Sequence, residues 1–298
     1  MLKVLVIGKN GQLGRSLQAV APQFADLSLT FVGRDALDLS RPGSIEATLL
    51  RYDFDVVINC AAYTVVDRAE SEVEQASDVN YRALKFIVRA VKQKHASLIQ
   101  ISTDYVFNGK AGQPYDENAK TDPLNHYGFT KLKAEQLVLK QMPQNAWVVR
   151  TGWLYSEYGS NFVKTMLRLG RAQGAVQVVC DQIGSPTYAR DLACAVLQMI
   201  EKARFGEAER LSQIYHYSNE GVASWFDFAQ AVFEQAGLAV AVKPIASTEY
   251  PTPAKRPHYS VLDKAKIKCD FDLQIPYWRD SLKMCLQALG EMTLGERV

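Results

Sequence analysis

The sequence predicts an α/β fold, a doubly wound parallel sheet of the Rossmann type with a smaller C-terminal part attached. Three observations predict it. Lys3-Val-Leu-Val-Ile7 is an apolar run without alternation, the pattern of a parallel strand covered on both faces. It passes directly into Gly8-Lys-Asn-Gly11-Gln-Leu-Gly14, after which Leu13, Leu17 and Val20 recur at helical spacing. Strand-like apolar runs then alternate with helix-length stretches as far as Arg150.

Each element carries a chemical expectation. Three glycines between a strand and a helix let backbone amides approach a pyrophosphate at a helix N-terminus, which favours its negative charge. The second strand, expected over Leu27–Val32, ends in Gly33-Arg34-Asp35. An acidic residue there would grip an adenosine ribose, whereas Arg34 can pair with a 2′-phosphate. Arg34 therefore favours NADPH, with NADH as the second candidate and Asp35 as the competing residue. Helix follows from about Ser44 to Arg51, then a third strand over Asp55–Asn59 that ends in Cys60-Ala61-Ala62, small residues against which a flat ligand can lie. The charges of Glu70–Glu74 read as a solvated segment. Asn80 reads as the cap or an interior brace of a helix reaching about Lys94.

A fourth strand, Ser97–Ser102, delivers Thr103 and Asp104 to the carboxyl edge of the sheet, where such folds bind ligands. A turn-rich loop leads through Asp122-Pro-Leu-Asn125 to Tyr127-Gly-Phe-Thr-Lys131, at the start of a helix reaching about Lys140. Tyr127 and Lys131 are one turn apart on one face, where an ammonium would lower the phenol's pKa and make it a proton donor, with Thr103 a second hydroxyl for a substrate oxygen. The same spacing occurs at Tyr81 and Lys85, but there Leu84, Val88 and Val91 continue an apolar stripe, so Tyr81 reads as packing. The fifth strand, Ala146–Arg150, ends in Thr151-Gly-Trp153.

The second half is less regular. Helices are expected over 161–172, from Tyr188 to about Lys202, over 225–236 behind a Ser224 cap, and over 278–289. Short strands are expected over 175–179, 214–217 and 239–244, and the last residues, Met292–Val298, are expected to fray. Tyr250-Pro-Thr-Pro-Ala-Lys-Arg256-Pro257 is an extended, pre-ordered loop in which Arg256 is a candidate for a phosphate. The division expected is 1–153 for the dinucleotide and 154–298 mainly for substrate, with some later segments returning to the first part.

The composition narrows the classes. The chain has 298 residues, 48% of them hydrophobic and 22% charged, with a net charge of +2 and no basic stripe, so neither nucleic acid nor a membrane is expected as a partner. Its five cysteines form no close pair, which fits reduced thiols and a cytoplasmic location. Its four histidines have no metal-like neighbours, so no metal site is expected.

Gly8-x-x-Gly11-Gln-Leu-Gly14, Asn59-Cys-Ala-Ala-Tyr-Thr64, Ser102-Thr-Asp-Tyr-Val-Phe107 and Tyr127-Gly-Phe-Thr-Lys131 together resemble the extended short-chain dehydrogenase/reductases. Arg256-Pro257, Leu262-Asp263 and Ile275-Pro-x-Trp278 make the chain similar to one branch, which reduces dTDP-4-dehydro-β-L-rhamnose to dTDP-L-rhamnose for cell-surface polysaccharide. The resemblance implies a catalytic triad of Thr103, Tyr127 and Lys131. It implies Asn10, Gly11, Gln12 and Leu13 at the pyrophosphate, Asp38 and Leu39 beside the adenine, and Ala61, Ala62 and Tyr63 along the cofactor. Asp104 and Trp153 would contact the sugar. Some members form magnesium-bridged dimers through a glutamate in the helix after the glycine loop. This chain has Gly14-Arg-Ser-Leu17 there, so a monomer or another homodimer is expected instead. The rival readings are a nucleotide-sugar epimerase or dehydratase, which regenerates its dinucleotide in each cycle, and a non-catalytic subunit like the regulatory one of methionine adenosyltransferase.

Overall fold

The computed structural model describes residues 1–203 and 211–291; the expected fraying of Met292–Val298 lies outside the described residues. Five parallel strands come from the first half: β1 (Leu2–Ile7), β2 (Leu27–Val32), β3 (Val56–Asn59), β4 (Ser97–Thr103) and β5 (Ala146–Thr151). A sixth, Gln213–His216, pairs in parallel with β5, giving the order β2-β1-β3-β4-β5 and then the sixth strand. Strand order reverses beside β1, so the carboxyl ends of β1 and β3 open a crevice at the switch point.

Alternation along β1 shows why the sheet is covered twice. Val4 and Val6 face a core shared with helices Gln12–Val20 and Ala189–Ala203. Leu5 and Ile7 face a second core shared with helices Pro42–Leu49, Ala83–Gln93 and His126–Gln141. The chain leaves the sheet at Thr151, and among the described residues helix Ala189–Ala203 and the sixth strand are the first to come back to it. A third core joins helices Phe162–Gln173, Trp225–Gln235 and Trp278–Ala288 to a two-stranded ribbon, Ala175–Val179 with Ala241–Ile245.

Local chemistry explains the boundaries. Asn125 caps His126–Gln141 by accepting from Gly128 N at 2.8 Å, and Asn161 caps Phe162–Gln173 by accepting from Lys164 N at 3.2 Å. Ser224 and Asp227 form a reciprocal capping box. Asn80 does not open a helix: it lies in a π-helical turn, Asp78–Arg82, between two helical stretches. There it braces Tyr63, accepting from Tyr63 N at 2.8 Å and donating to Tyr63 O at 3.1 Å and Thr130 Oγ1 at 3.0 Å. Tyr81 packs on the second core, with the Lys85 ammonium 4.9 Å from its ring. Helix Ala265–Phe271, unannounced by the sequence pattern, packs Ile267 and Phe271 into the first core. No helix among the described residues is long and apolar enough to cross a membrane.

Candidate active site

A cavity of about 940 Å³ opens at the switch point and extends across the carboxyl edge towards the second part. That volume lies near the upper end for small-molecule sites. One half is built from the glycine turn. Gly8 has φ +99°, a conformation open to glycine, and a Cβ on Gly14 would lie 2.2 Å from Gly8 O. The turn is thus a bare backbone cradle closed against the first helix, and Gly8, Asn10, Gly11, Gln12 and Leu13 all line the cavity.

Arg34, Asp38 and Leu39 line it beyond β2, and Ala61, Ala62 and Tyr63 beyond β3. The Arg34 guanidinium lies 3.4 Å from Asp38 and is largely exposed. Asp35, the competing residue, is tied to Lys9 at 2.9 Å and is absent from the cavity wall. Tyr63 donates its hydroxyl to Glu72 at 2.6 Å, so one carboxylate of the charged segment expected to be solvated supports the wall.

The other half gathers Thr103, Asp104, Tyr127, Lys131, Trp153 and Arg256. Thr103 Oγ1 accepts from Tyr105 N at 3.2 Å and donates to Asp104 Oδ1 at 3.1 Å. Asp104 is buried, and its Oδ2 has no hydrogen bond among the described residues. Burial pushes its carboxyl up to about 6, against the pull of the Ser260 and Thr103 hydroxyls. The carboxylate lies on bare backbone, since a Cβ on Gly152 would sit 2.5 Å from it.

The expected electrostatics of the tyrosine–lysine pair need correction. Lys131 Nζ donates to Ile101 O at 2.6 Å, a strand carbonyl. Burial pulls Lys131 down to about 8, opposed by the charge of Glu135. Tyr127 is pushed up to about 12, by burial first and by the Asp104 charge; the Thr103 hydroxyl opposes them. Lys131 therefore does not draw the phenol down in this state, because burial dominates both groups and the ammonium is turned to the Ile101 carbonyl.

Arg256 reaches the wall already paired. Its Nη2 lies 2.7 Å and its Nη1 3.1 Å from the Asp67 carboxylate, and Nη1 also donates to Ala254 O. The proline-rich loop is fixed to the catalytic helix by Asn125 Nδ2, which donates to Lys255 O at 2.8 Å.

Sequence reasoning missed three features. Trp225 lines the cavity and stacks on Trp153, ring centroids 3.5 Å apart and planes 1° apart. A Cβ on Gly184 would lie 2.5 Å from the Trp153 indole, so the ring also abuts bare backbone there. Trp153 adopts φ +51°, a strained backbone for a bulky residue. No signal in the chain links positions so far apart. The second feature is a buried network under the site: Arg150 donates to Glu135 at 3.0 and 2.7 Å, and Ser102 donates to Glu135 at 2.5 Å. His216 completes it: its Nε2 accepts from Arg150 at 3.3 Å, its Nδ1 lies 3.1 Å from Tyr115 O, and burial and the Arg150 charge hold it neutral with a pKa near about 3. The third is Gly152, whose lack of a side chain admits the Asp104 carboxylate.

Comparison with known proteins adds relatives that align over nearly the whole chain. Residues 2–291 match the family described as RmlD substrate binding domain. A dTDP-4-dehydrorhamnose reductase of Aggregatibacter actinomycetemcomitans is 38% identical, over 95% of this chain and 98% of the relative. One of Mycolicibacterium smegmatis is 42% identical, over 98% of this chain and 88% of the relative. Among solved structures, a dTDP-4-dehydrorhamnose reductase of Bacillus anthracis in complex with NADP superposes with a TM-score of 0.89 at 36% identity, covering 96% of this chain and 99% of that one. These matches span both the glycine turn and the Tyr127–Lys131 helix, and the chain belongs to the dTDP-4-dehydrorhamnose reductase family.

Proposed function

We propose that the protein reduces dTDP-4-dehydro-β-L-rhamnose to dTDP-L-rhamnose with NADPH, NADH being the weaker alternative. The observation that carries this is a single cavity with a glycine cradle and Arg34 at one end and Thr103, Tyr127 and Lys131 at the other. The cradle fits a dinucleotide: Gly8 and Gly14 let the turn close on its own backbone, and Gly11, where a Cβ would meet no atom closer than 3.5 Å, faces the cavity with bare backbone. Gly8, Asn10, Gly11, Gln12 and Leu13 would hold the pyrophosphate, Arg34 the 2′-phosphate, Asp38 and Leu39 the adenine end, and Ala61, Ala62 and Tyr63 the stretch between. Bound there, the nicotinamide supplies the hydride that reduces the C4 carbonyl.

The residues do the rest. As negative charge develops on the C4 oxygen, Tyr127 gives it the phenolic proton. A phenol whose pKa is raised suits this direction, because it keeps its proton until a stronger base forms beside it. Thr103 turns its hydroxyl from Asp104 to the same oxygen, and the Lys131 ammonium stabilises the tyrosinate left behind. Asp104 and Trp153 contact the sugar, and Arg256 meets the substrate's phosphates with the guanidinium N–H donors that its pairing with Asp67 does not use.

In this reading residues 1–153 serve mainly the dinucleotide and 154–298 mainly the sugar nucleotide. The enzyme works in the cytoplasm as a monomer or homodimer, and no magnesium bridge is invoked, because Arg15 occupies the helix after the glycine loop. The test is turnover of dTDP-4-keto-6-deoxy-L-mannose with NADPH and NADH side by side. Stoichiometric loss of NADPH absorbance is expected. An epimerase or dehydratase would leave the dinucleotide pool unchanged, and that result would sink the proposal.

A further inference from the structure

Gln12 has a second set of contacts that cofactor binding does not require. It is the first residue of helix Gln12–Val20, at the glycine cradle. Its side chain points across to the chain that leaves β5 for the second part. Gln12 Oε1 accepts from Ser156 Oγ at 2.9 Å and from Asn161 Nδ2 at 3.0 Å, and Gln12 Nε2 donates to Leu154 O at 3.4 Å. Ser156 is fully buried, and its hydroxyl also binds Tyr158 at both N and O. One turn further along the helix, the Arg15 guanidinium lies 4.2 Å from the Tyr158 ring centroid. The segment 154–161 is thus clamped to the first turn of the dinucleotide helix by two side chains.

The same segment begins next to Trp153. That residue lines the sugar half with a strained backbone, a conformation that persists only where its surroundings over-determine it. Trp153 O accepts from Thr187 N at 3.1 Å, and Leu154–Tyr155 pair with Thr187–Tyr188, so the segment also carries part of the substrate lobe. Asn161 adds a further link, since it caps the helix whose first residue, Phe162, lines the cavity.

We propose that Gln12 is a positioning residue that couples the two ligand sites, so that a dinucleotide on the cradle and a sugar nucleotide at Trp153 bind cooperatively. The inference rests on the reductase reading above. A ligand that fixes the Gly11–Gln12 backbone fixes the Gln12 amide, which fixes Ser156 and Asn161, and with them the backbone on which Trp153 sits. The ordering cost of the segment is then met by whichever ligand arrives first, and by linkage each ligand strengthens the other by the same factor.

The experiment measures binding, not turnover. NADPH is titrated calorimetrically into the full-length protein with and without saturating dTDP-L-rhamnose, a pair that cannot react. Wild type is expected to bind NADPH about 5-fold or more tightly when the sugar nucleotide is present, the lower end of common coupling factors. The double variant Ser156→Ala, Asn161→Ser keeps a capping oxygen for the helix but removes both donors to Gln12. It is expected to bind NADPH alone within about 2-fold of wild type and to lose the coupling, with a ratio near 1. Gln12→Leu should lose the same coupling, and adding it to the double variant should lose no more. Thermal melts of each variant establish folding, and if one side of the contact does not fold, the other side is read alone. Coupling retained in the variants overturns the proposal, as does wild type that binds both ligands independently. Wild type that binds neither NADPH nor dTDP-L-rhamnose overturns the reductase reading and this inference with it.

Discussion

A phenol held at about 12 is fully protonated at neutral pH, which is the state a reductase needs at the start of its cycle. Tyr127→Phe is therefore expected to lower kcat by about 10² or more, the scale of a lost general acid. NADPH binding, measured by fluorescence titration, should survive; near-wild-type turnover would remove Tyr127 from the role. The placing of this residue in the cavity was legible in the chain. Asn125 marks a helix start, Thr103 ends a strand, and both lie at the edge where parallel sheets bind ligands. The sign of the phenol's shift was not legible, since it depends on how much protein crowds the ring and on where Lys131 Nζ goes, which is to the Ile101 carbonyl. The pairing of Trp153 with Trp225 was hidden for the same reason. Each tryptophan has a local explanation, a strand end or a first helical turn, and the stack exists only in three dimensions.

Helix His126–Gln141 carries the site as a unit. Lys131 and Glu135 are one turn apart, and the Glu135 carboxylate raises the pKa of Lys131 against its burial. If the lysine must be cationic, kcat/KM for NADPH falls as pH rises through about 8, the value of Lys131 in the free enzyme. Removing the carboxylate with Glu135→Gln lowers that value, so the alkaline limb should move to lower pH. The same change leaves buried Arg150 without its counter-ion and should cost about 3–5 kcal/mol in urea denaturation. A limb that stays in place would show that Lys131 does not control it. The helix start is equally exacting. A Cβ on Gly128 would lie 2.2 Å from Tyr105 O, a backbone atom in the turn that follows β4. No flexible side chain can yield there, so Gly128→Ala is expected to cost about 1–3 kcal/mol and to displace Tyr127. An unchanged denaturation midpoint would mean that the helix shifts freely. The start of this helix behind Asn125 and its reach to about Lys140 were visible in the sequence; the closeness of its first turn to Tyr105 was not.

Across the whole molecule, the parallel sheet and its ligand-binding carboxyl edge were legible because strands covered on both faces, β1 and β3 above all, are written as unbroken apolar runs. The return of Ala189–Ala203 and Gln213–His216 to the sheet was harder to read. Short strands look alike whether they join a large sheet or a ribbon, and pairing with β5 is a long-range choice. What the assembled fold adds is a cost at its own active site. Asp104 titrates near about 6 when folded, against about 4 in an unfolded chain. A carboxyl whose folded value is raised leaves stability intact below about pH 4 and removes it as pH rises through 6. A shift of about two units corresponds to about 3 kcal/mol lost at neutral pH and above. Asp104→Asn removes this titration while keeping the shape of the side chain. Its stability relative to wild type, measured by urea denaturation without nucleotide, should therefore improve by about 3 kcal/mol between about pH 4 and about pH 8. Other titrating groups, such as His216 and Glu117, are common to both proteins and cancel in the difference. The variant should also lose activity, because the unpaired Oδ2 that makes the carboxylate costly is the atom left free for a sugar hydroxyl. A stability difference that is flat across this range would show that Asp104 is as well solvated in the fold as in the unfolded chain.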